Sequence, residues 1–341
     1  MDNRSDKTCD LQPATCSDSN QPDTADDSSD PIKKLDIPSL SDKMFSRFSE
    51  FVQKELGIKM PEAKKIMLQA RLQKRLRKTG ITTFEDYYNY VFSPRGREAE
   101  LASMIDAVTT NKTDFFREPQ HFDYLFYTVL PELASRKLRV VPCSQAEIAV
   151  SQAQAVSSLS SNTASELRVI PLKVWSAGCA SGEEAYTLAM VMSEFAEHYP
   201  GFDFSILATD ISTSALKKGA LGIYNHERIE PIPMPMRKKY LLRSKDQSKE
   251  LVRIIPELRA AVRFQRLNLM DKLFPIRNTM DIIFFRNVLI YFDRPTQESV
   301  LNRICQHLDP DGYMFLGHSE TLSGLDVPLI PIITAVYKKS L

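Results

Sequence analysis

The chain has 341 residues, 43% of them hydrophobic and 26% charged, and a net charge of +1, the balance of a globular protein with room for two ordinary domains. Near-neutrality without any named nucleic-acid motif argues against nucleic acid as a partner; the acidic, polar N-terminus is unlike a secretory signal; and no apolar run approaches the ~20 residues of a membrane span. The cysteines, Cys9, Cys16, Cys143, Cys179 and Cys305, are odd in number and hold no Cys-x-x-Cys pair, which argues against structural zinc, iron–sulfur and a disulfide framework and leads us to expect reduced thiols in the cytoplasm.

Residues 1–30 hold eight Asp against Arg4 and Lys7, a local charge of −6, which leaves +7 for the remainder. Residues 1–40 are too poor in large apolar groups to offset their ordering entropy and read as a disordered acidic tail. Residues 41–139 read as a helical domain. In Met44–Leu56, Phe45, Phe48, Val52 and Leu56 recur at spacings of three and four, one helix face. Glu62–Lys78 follows, with Pro61 at its start, Gly80 past its end and a stripe of Leu68, Leu72 and Leu76. Phe84–Phe92, Arg97–Val108 and His121–Leu133 read as further helices. Residues 140–168, rich in Ser, Ala and Gln and without period, read as a flexible insertion or linker.

From Leu172 strands alternate with helices. Leu172–Ala177, Phe204–Thr209 and Met280–Phe285 are apolar strands; Glu183–Tyr199, Ser212–Leu221 and Pro295–Leu308 are helices; Tyr313–Leu316 and Thr334–Lys338 are the last strands, after a Pro310-Asp311-Gly312 turn. This grammar predicts an α/β domain over 169–341 with a mostly parallel sheet covered on both faces. Residues 226–262, with Pro231, Pro233, Pro235 and Pro256, interrupt it as a small β-rich excursion.

Polar residues gather where strands end. Gly178-Cys179-Ala180-Ser181-Gly182-Glu183-Glu184 is a glycine turn between strand and helix. It is neither G-x-G-x-x-G nor a P-loop, and its paired acids would repel a phosphate; a plain tight turn is an equal reading. Asp210 ends the next strand, placed either to accept from ribose hydroxyls or to cap the following helix, a task Ser212 can also perform. The stretch 109–118 combines Asn111, Thr113 and Arg117 with Phe115 and Phe116; it reads as a solvated loop unless Arg117 orients a carboxylate. Arg286-Asn287 end an apolar strand, with Tyr291 on the same loop. Lys64, Arg71, Lys74, Arg75 and Lys78 share one side of their helix, either a solvated face or a docking face for an acidic partner. The five histidines show no ligand spacing, so neither a metal nor a histidine-based catalyst is expected.

Taken together, 109–122 (TTNKTDFFREPQHF), 174–189 (VWSAGCASGEEAYTLA), 207–212 (LATDIS), 263–269 (RFQRLNL), 284–292 (FFRNVLIYF) and 310–320 (PDGYMFLGHSE) resemble the CheR family of chemotaxis receptor methyltransferases. The resemblance covers 41–341 apart from 140–168. It implies an all-α domain followed by a Rossmann-like methyltransferase domain with a small inserted antiparallel β-subdomain. It implies S-adenosylmethionine as donor, S-adenosylhomocysteine as product and glutamates in the cytoplasmic domain of chemotaxis receptors as acceptors, for a protein expected to be monomeric. It assigns Asn111, Thr113, Arg117, Glu184, Asp210, Asn268, Leu269, Arg286 and Asn287 to the cofactor and puts Arg117 and Tyr291 beside the reacting centre. Where tethering members carry a Gly-x-Gly turn this chain has Arg243-Ser244-Lys245-Asp246-Gln247-Ser248, so the implication does not extend to binding of a receptor's C-terminal pentapeptide. A scaffold that binds cofactor without catalysis, or a methyltransferase for another acidic protein, are the other readings.

Overall fold

The computed structural model describes residues 8–9, 37–139, 170–246 and 248–340. Most of the expected acidic tail and the expected 140–168 insertion lie outside the described residues. Within 1–40, Thr8–Cys9 (β1) pairs in parallel with Arg243 and Ser244, and Leu40 is buried with the helical layer.

The helical layer comprises α1 (Asp42–Leu56), α2 (Lys65–Thr79), α3 (Phe84–Phe92), α4 (Pro94–Ala99) and α5 (Leu101–Val108). Ser41 caps α1, whose end is closed by Gly57 in the left-handed conformation. Glu62–Lys64 forms a 3₁₀ turn ahead of α2. Phe45, Phe48, Val52, Leu68, Leu72, Leu76 and Tyr87 build one core, as the spacing requires. The helix expected over Arg97–Val108 is two helices. Pro94 starts α4 under a Ser93 cap, and the chain breaks at Glu100. The break turns the Glu100 carboxylate inward, where Arg75 and Tyr87 bind it. Next come α6 (Gln120–Tyr124), a π turn (Leu125–Val129) and α7 (Leu130–Arg139).

The second layer is a seven-stranded sheet in the order β10-β11-β9-β8-β2-β3-β7. Here β2 is Ile170–Ala177, β3 Phe202–Asp210, β7 Val262–Arg266, β8 Met280–Phe285, β9 Leu308–Leu316, β10 Leu329–Ile333 and β11 Val336–Lys339. Strands β9, β8, β2, β3 and β7 run parallel; β10 and β11 finish one edge as an antiparallel hairpin. Helices α8 (Glu183–His198), α9 (Thr213–Leu221) and α12 (Arg294–Cys305) flank it. Alternate residues enter opposite cores: Val174, Ile282 and Phe284 pack on one face, Trp175, Ile283 and Phe285 on the other. The expected turn at 310–312 is instead an irregular part of β9, with Asp311 at φ 61° and the register shifting opposite 280–282.

Between β3 and β7 the chain builds a second sheet, β1-β5-β6-β4, from Ile223–Asn225 (β4), Leu241–Ser244 (β5) and Leu251–Ile254 (β6), with α10 (Met234–Tyr240) and α11 (Pro256–Ala261) around it. No helix among the described residues is long and apolar enough to cross a membrane.

Candidate functional site

The strand order reverses between β2 and β8, because β2 leads to β3 and β7 on one side while β8 leads to β9 on the other. Ligands of open α/β sheets bind outside the carboxyl ends at such a point. A cavity of about 410 Å³ lies there, walled on one side by the helical layer. Asn111, Thr113, Arg117, Glu184, Asp210, Asn268, Leu269, Arg286, Asn287 and Tyr291 all line it, together with Leu56, Ile58, Met60, Lys64 and Met67 of the helical side. Residues separated by 180 positions in sequence thus share one chamber.

The floor is the glycine turn. Gly178 leaves β2 at φ 89°, and a Cβ there would stand 2.5 Å from Val288 Cγ2. Its N–H and that of Cys179 both donate to the Thr209 carbonyl, at 2.7 and 2.9 Å, folding the turn over the neighbouring strand. Ala180 has φ 48° and donates its N–H to Asp210 Oδ2 at 2.9 Å; Ser212 N–H donates to Asp210 Oδ1 at 2.8 Å. Ser212, not Asp210, caps α9. Each Asp210 oxygen therefore keeps a lone pair for a ligand. Burial pushes the Asp210 carboxyl upward and these N–H bonds oppose it.

Glu184 accepts from Ser176 Oγ at 2.6 Å and faces Arg286 Nε at 3.2 Å. Burial raises its carboxyl pKa while the Arg286 charge works against that. Arg286 is itself buried. It donates to the Arg117 carbonyl and to His121 Nδ1, the latter at 3.1 Å, and packs over the Phe122 ring. Two of its donors are thus held by protein groups, which fixes the guanidinium against the cavity wall. Asn268 is also held: its amide donates to the Glu55 carbonyl at 2.8 Å and its oxygen accepts from Met270 N–H at 3.0 Å. Asn268 pins the sheet edge to the end of α1. A second pin is Lys59 N–H on the Tyr291 carbonyl, at 2.8 Å.

The connector 109–118 is held from three sides. Arg71 donates to the carbonyls of Val108 and Thr109 at 2.9 and 3.0 Å and to Thr110 Oγ1. Thr187 Oγ1 accepts from Phe116 N–H at 3.1 Å. Arg228 reaches the Thr113 carbonyl at 2.6 Å. Phe116, Glu118, Ala180 and Asn287 are four non-glycine residues with φ between 48° and 58°; each such conformation costs on the order of 1–3 kcal/mol. Ala180 and Asn287 line the cavity, and Phe116 and Glu118 flank Arg117, which also lines it.

The docking face expected on α2 is divided. Arg75 binds the buried Glu100 carboxylate through Nε and Nη2 at 2.8 and 2.7 Å, and Arg71 holds the connector, so neither is available to a partner. A helical wheel shows which side a residue faces but not a partner 25 positions away on another helix. Lys64 lines the cavity mouth. Lys74 and Lys78 alone remain exposed, beside Arg77 and a fully solvated Ile66.

Three residues were missed by sequence reasoning. Glu320, buried, accepts from Asn287 N–H, Gly317 N–H and Leu289 N–H at 2.7–2.8 Å and so shapes the loop that carries Asn287 and Tyr291. Arg228 and Tyr224, from the small sheet, bind the connector and the glycine turn that wall the site. A glutamate after Gly-His-Ser was a visible signal; Arg228 had none. Glu118, His121 and His318 bring ligand atoms within 4.8 Å of one another, but Arg286 already places its cation in that niche, and burial with that charge lowers the His121 pKa to about 4.

The chamber suits S-adenosylmethionine by its size and by offering both signs of charge: Glu184, Asp210 and Arg286 at the sheet edge, and Lys112, Asp114 and Arg117 on the connector. A sequence model of the family described as "CheR methyltransferase, SAM binding domain" matches residues 144–334, and one described as "CheR methyltransferase, all-alpha domain" matches 43–109. The chain is 38% identical over 307 residues to a chemotaxis protein methyltransferase of Borreliella burgdorferi, covering 90% of this chain and 97% of that one. It is 34% identical to the chemotaxis protein methyltransferase of Escherichia coli K12 (84% and 87% covered) and 34% identical to chemotaxis protein methyltransferase 2 of Pseudomonas aeruginosa (81% and 85%).

Proposed function

The chain belongs to the CheR methyltransferase family, a family of S-adenosylmethionine-dependent methyltransferases, and from that premise we propose that it esterifies glutamate side chains of chemotaxis receptors. The observation that carries the acidic acceptor is the imbalance of charge in the chamber. Glu184 is matched by Arg286, and Asp114 by Arg228 at 3.3 Å, while Asp210 is held by backbone N–H groups and by no cation. Among the described residues, Lys64, Lys112 and Arg117 line the same chamber without a carboxylate partner; Lys64 and Arg117 donate only to backbone carbonyls. An incoming carboxylate completes that side.

When bound, S-adenosylmethionine supplies an electrophilic methyl on a positive sulfonium. A glutamate carboxylate is already ionised at neutral pH, its reference pKa being about 4.3, so no general base is required. Arg117 orients the acceptor carboxylate. Tyr291, whose phenol is kept protonated by burial, stands beside Arg117 as a donor. A positive sulfonium and a negative acceptor carboxylate would neutralise one another on transfer, which exclusion of water would favour, and alignment of the carboxylate by Arg117 would supply much of the rate. Asp210, Glu184, Asn111, Thr113 and Asn287 hold the cofactor, while Arg286, Asn268 and Leu269 form its frame. The exposed Lys74, Arg77 and Lys78 meet an acidic receptor helix directly, without a pentapeptide tether.

Transfer of labelled methyl from S-adenosylmethionine to receptor-containing membranes tests this. The expected product is a base-labile ester that is lost with Arg117→Met. Cofactor binding without transfer to any of a panel of receptors would refute it. Reversing Lys74, Arg77 and Lys78 to Glu should raise the receptor KM while sparing cofactor binding.

A further inference from the structure

The small sheet touches the walls of the chamber through Tyr224 and Arg228. Arg228 sits in the 3₁₀ turn His226–Ile229, directly after β4. Its Nη2 donates to the Thr113 carbonyl and to Glu183 Oε1, both at 2.6 Å, and its Nη1 faces Asp114 Oδ1 at 3.3 Å. Thr113 lines the chamber, and Glu183, buried, begins the helix whose next residue is Glu184. One guanidinium therefore fastens the connector to the start of α8. Tyr224, on β4, makes a second fastening: its hydroxyl donates to the Ser181 carbonyl in the glycine turn at 2.8 Å, and its ring meets Phe115 of the connector edge-on, with centroids 5.0 Å apart.

We propose that Arg228 and Tyr224 are positioning residues for the cofactor, and that the small sheet is thereby a structural part of the cofactor site. The connector joins two layers and the glycine turn joins a strand to a helix; neither lies inside a regular element that would fix its distance from the other. Arg228 and Tyr224 set that distance, alongside the Phe116 N–H bond to Thr187 Oγ1. The guanidinium spreads its donors over two nitrogens, Nη2 to the Thr113 carbonyl and Glu183 and Nη1 to Asp114, a span that a single ammonium nitrogen does not cover. The inference rests on cofactor binding alone and is independent of which acceptor is used.

Calorimetric titration of the full chain with S-adenosylmethionine tests it. A hydrogen bond to a charged group contributes about 1.5–3 kcal/mol and each 1.4 kcal/mol is tenfold, so Arg228→Met should raise the cofactor Kd roughly tenfold or more. Arg228→Lys should remain weak. Arg253→Ala, in the same sheet but bonded to the Leu221 carbonyl, should bind like wild type. The receptor KM at saturating cofactor should stay within about twofold in Arg228→Met, a split that general loosening of the fold does not give. Tyr224→Phe keeps the ring and loses one neutral bond, so its Kd should rise about threefold; it decides the matter if Arg228→Met does not fold. Unchanged cofactor Kd in Tyr224→Phe and in any folded Arg228 variant, full rescue by Arg228→Lys, or a receptor KM that rises in step with Kd would each overturn the proposal. Absence of cofactor binding in the wild-type chain would instead strike at the family premise.

Discussion

Replacing Arg75 by Met should destabilise the helical layer without touching the chamber. The Arg75 side chain is 17% exposed and its partner Glu100 5% exposed, with the paired atoms 2.7 Å apart. Tyr87, fully buried, gives its hydroxyl to the same carboxylate at 2.7 Å. Burial and the Glu100 charge hold that phenol in its protonated state. Methionine preserves the aliphatic stem but strips Glu100 of two charge-assisted bonds. Removing one member of a buried pair costs about 3–5 kcal/mol, because the other charge stays buried; at 1.4 kcal/mol per decade that is two to three and a half orders of magnitude in the unfolding equilibrium. Urea unfolding followed by circular dichroism measures it. Lys74→Met, one residue away but exposed, should lie within about 0.5 kcal/mol of wild type. Adding Glu100→Gln to Arg75→Met should recover much of the loss, since no unpaired charge remains. If Arg75→Met matched Lys74→Met in unfolding yet weakened receptor methylation, Arg75 would be a docking residue and the reasoning would fail.

Gly178→Ala should cost about 1–3 kcal/mol and weaken cofactor binding, because it combines a left-handed φ with a Cβ 2.5 Å from Val288 Cγ2; a Gly178→Ala/Val288→Ala double variant that regained nothing in thermal unfolding would refute the steric part. His121, 2% exposed, has its pKa lowered from 6.5 to about 4. The unfolded chain therefore binds the proton first as pH falls, so stability is fully present above pH 6.5 and declines between 6.5 and about 4, by at most about 3 kcal/mol. His121→Asn, which keeps an acceptor for Arg286, should flatten that slope in denaturation curves; an unchanged slope would assign it to other groups.

The elements that could be read from the chain are those whose burial is regular. Met280–Phe285 is buried along its whole length and was legible as a strand to the residue; Phe45, Phe48, Val52 and Leu56 gave α1. The strands that escaped notice are edge strands. In β7 only Val262 is buried, and β10 exposes Ile330, Ile332 and Ile333 around Pro331, so neither carries the alternation of a half-buried strand. In the site, residues at strand ends were legible because strand ends must face the crevice. What was not legible is how donors are spent. The guanidiniums of Arg71, Arg75 and Arg286 and the amide of Asn268 bind groups 25 to 213 positions away, and local spacing carries no trace of such partners.

The pins from Asn268 to Glu55 and from Lys59 to Tyr291 make the seam between layers one wall of the chamber. A ligand seated there touches both layers, so part of its binding free energy becomes cohesion between them. At a free concentration a hundred times its Kd, a ligand that binds only the folded chain adds about 2.7 kcal/mol. The cofactor acts as mortar as well as reagent: prying the helical layer from the sheet must also evict it, and a cell that depletes its methyl donor holds a looser enzyme as well as an idle one.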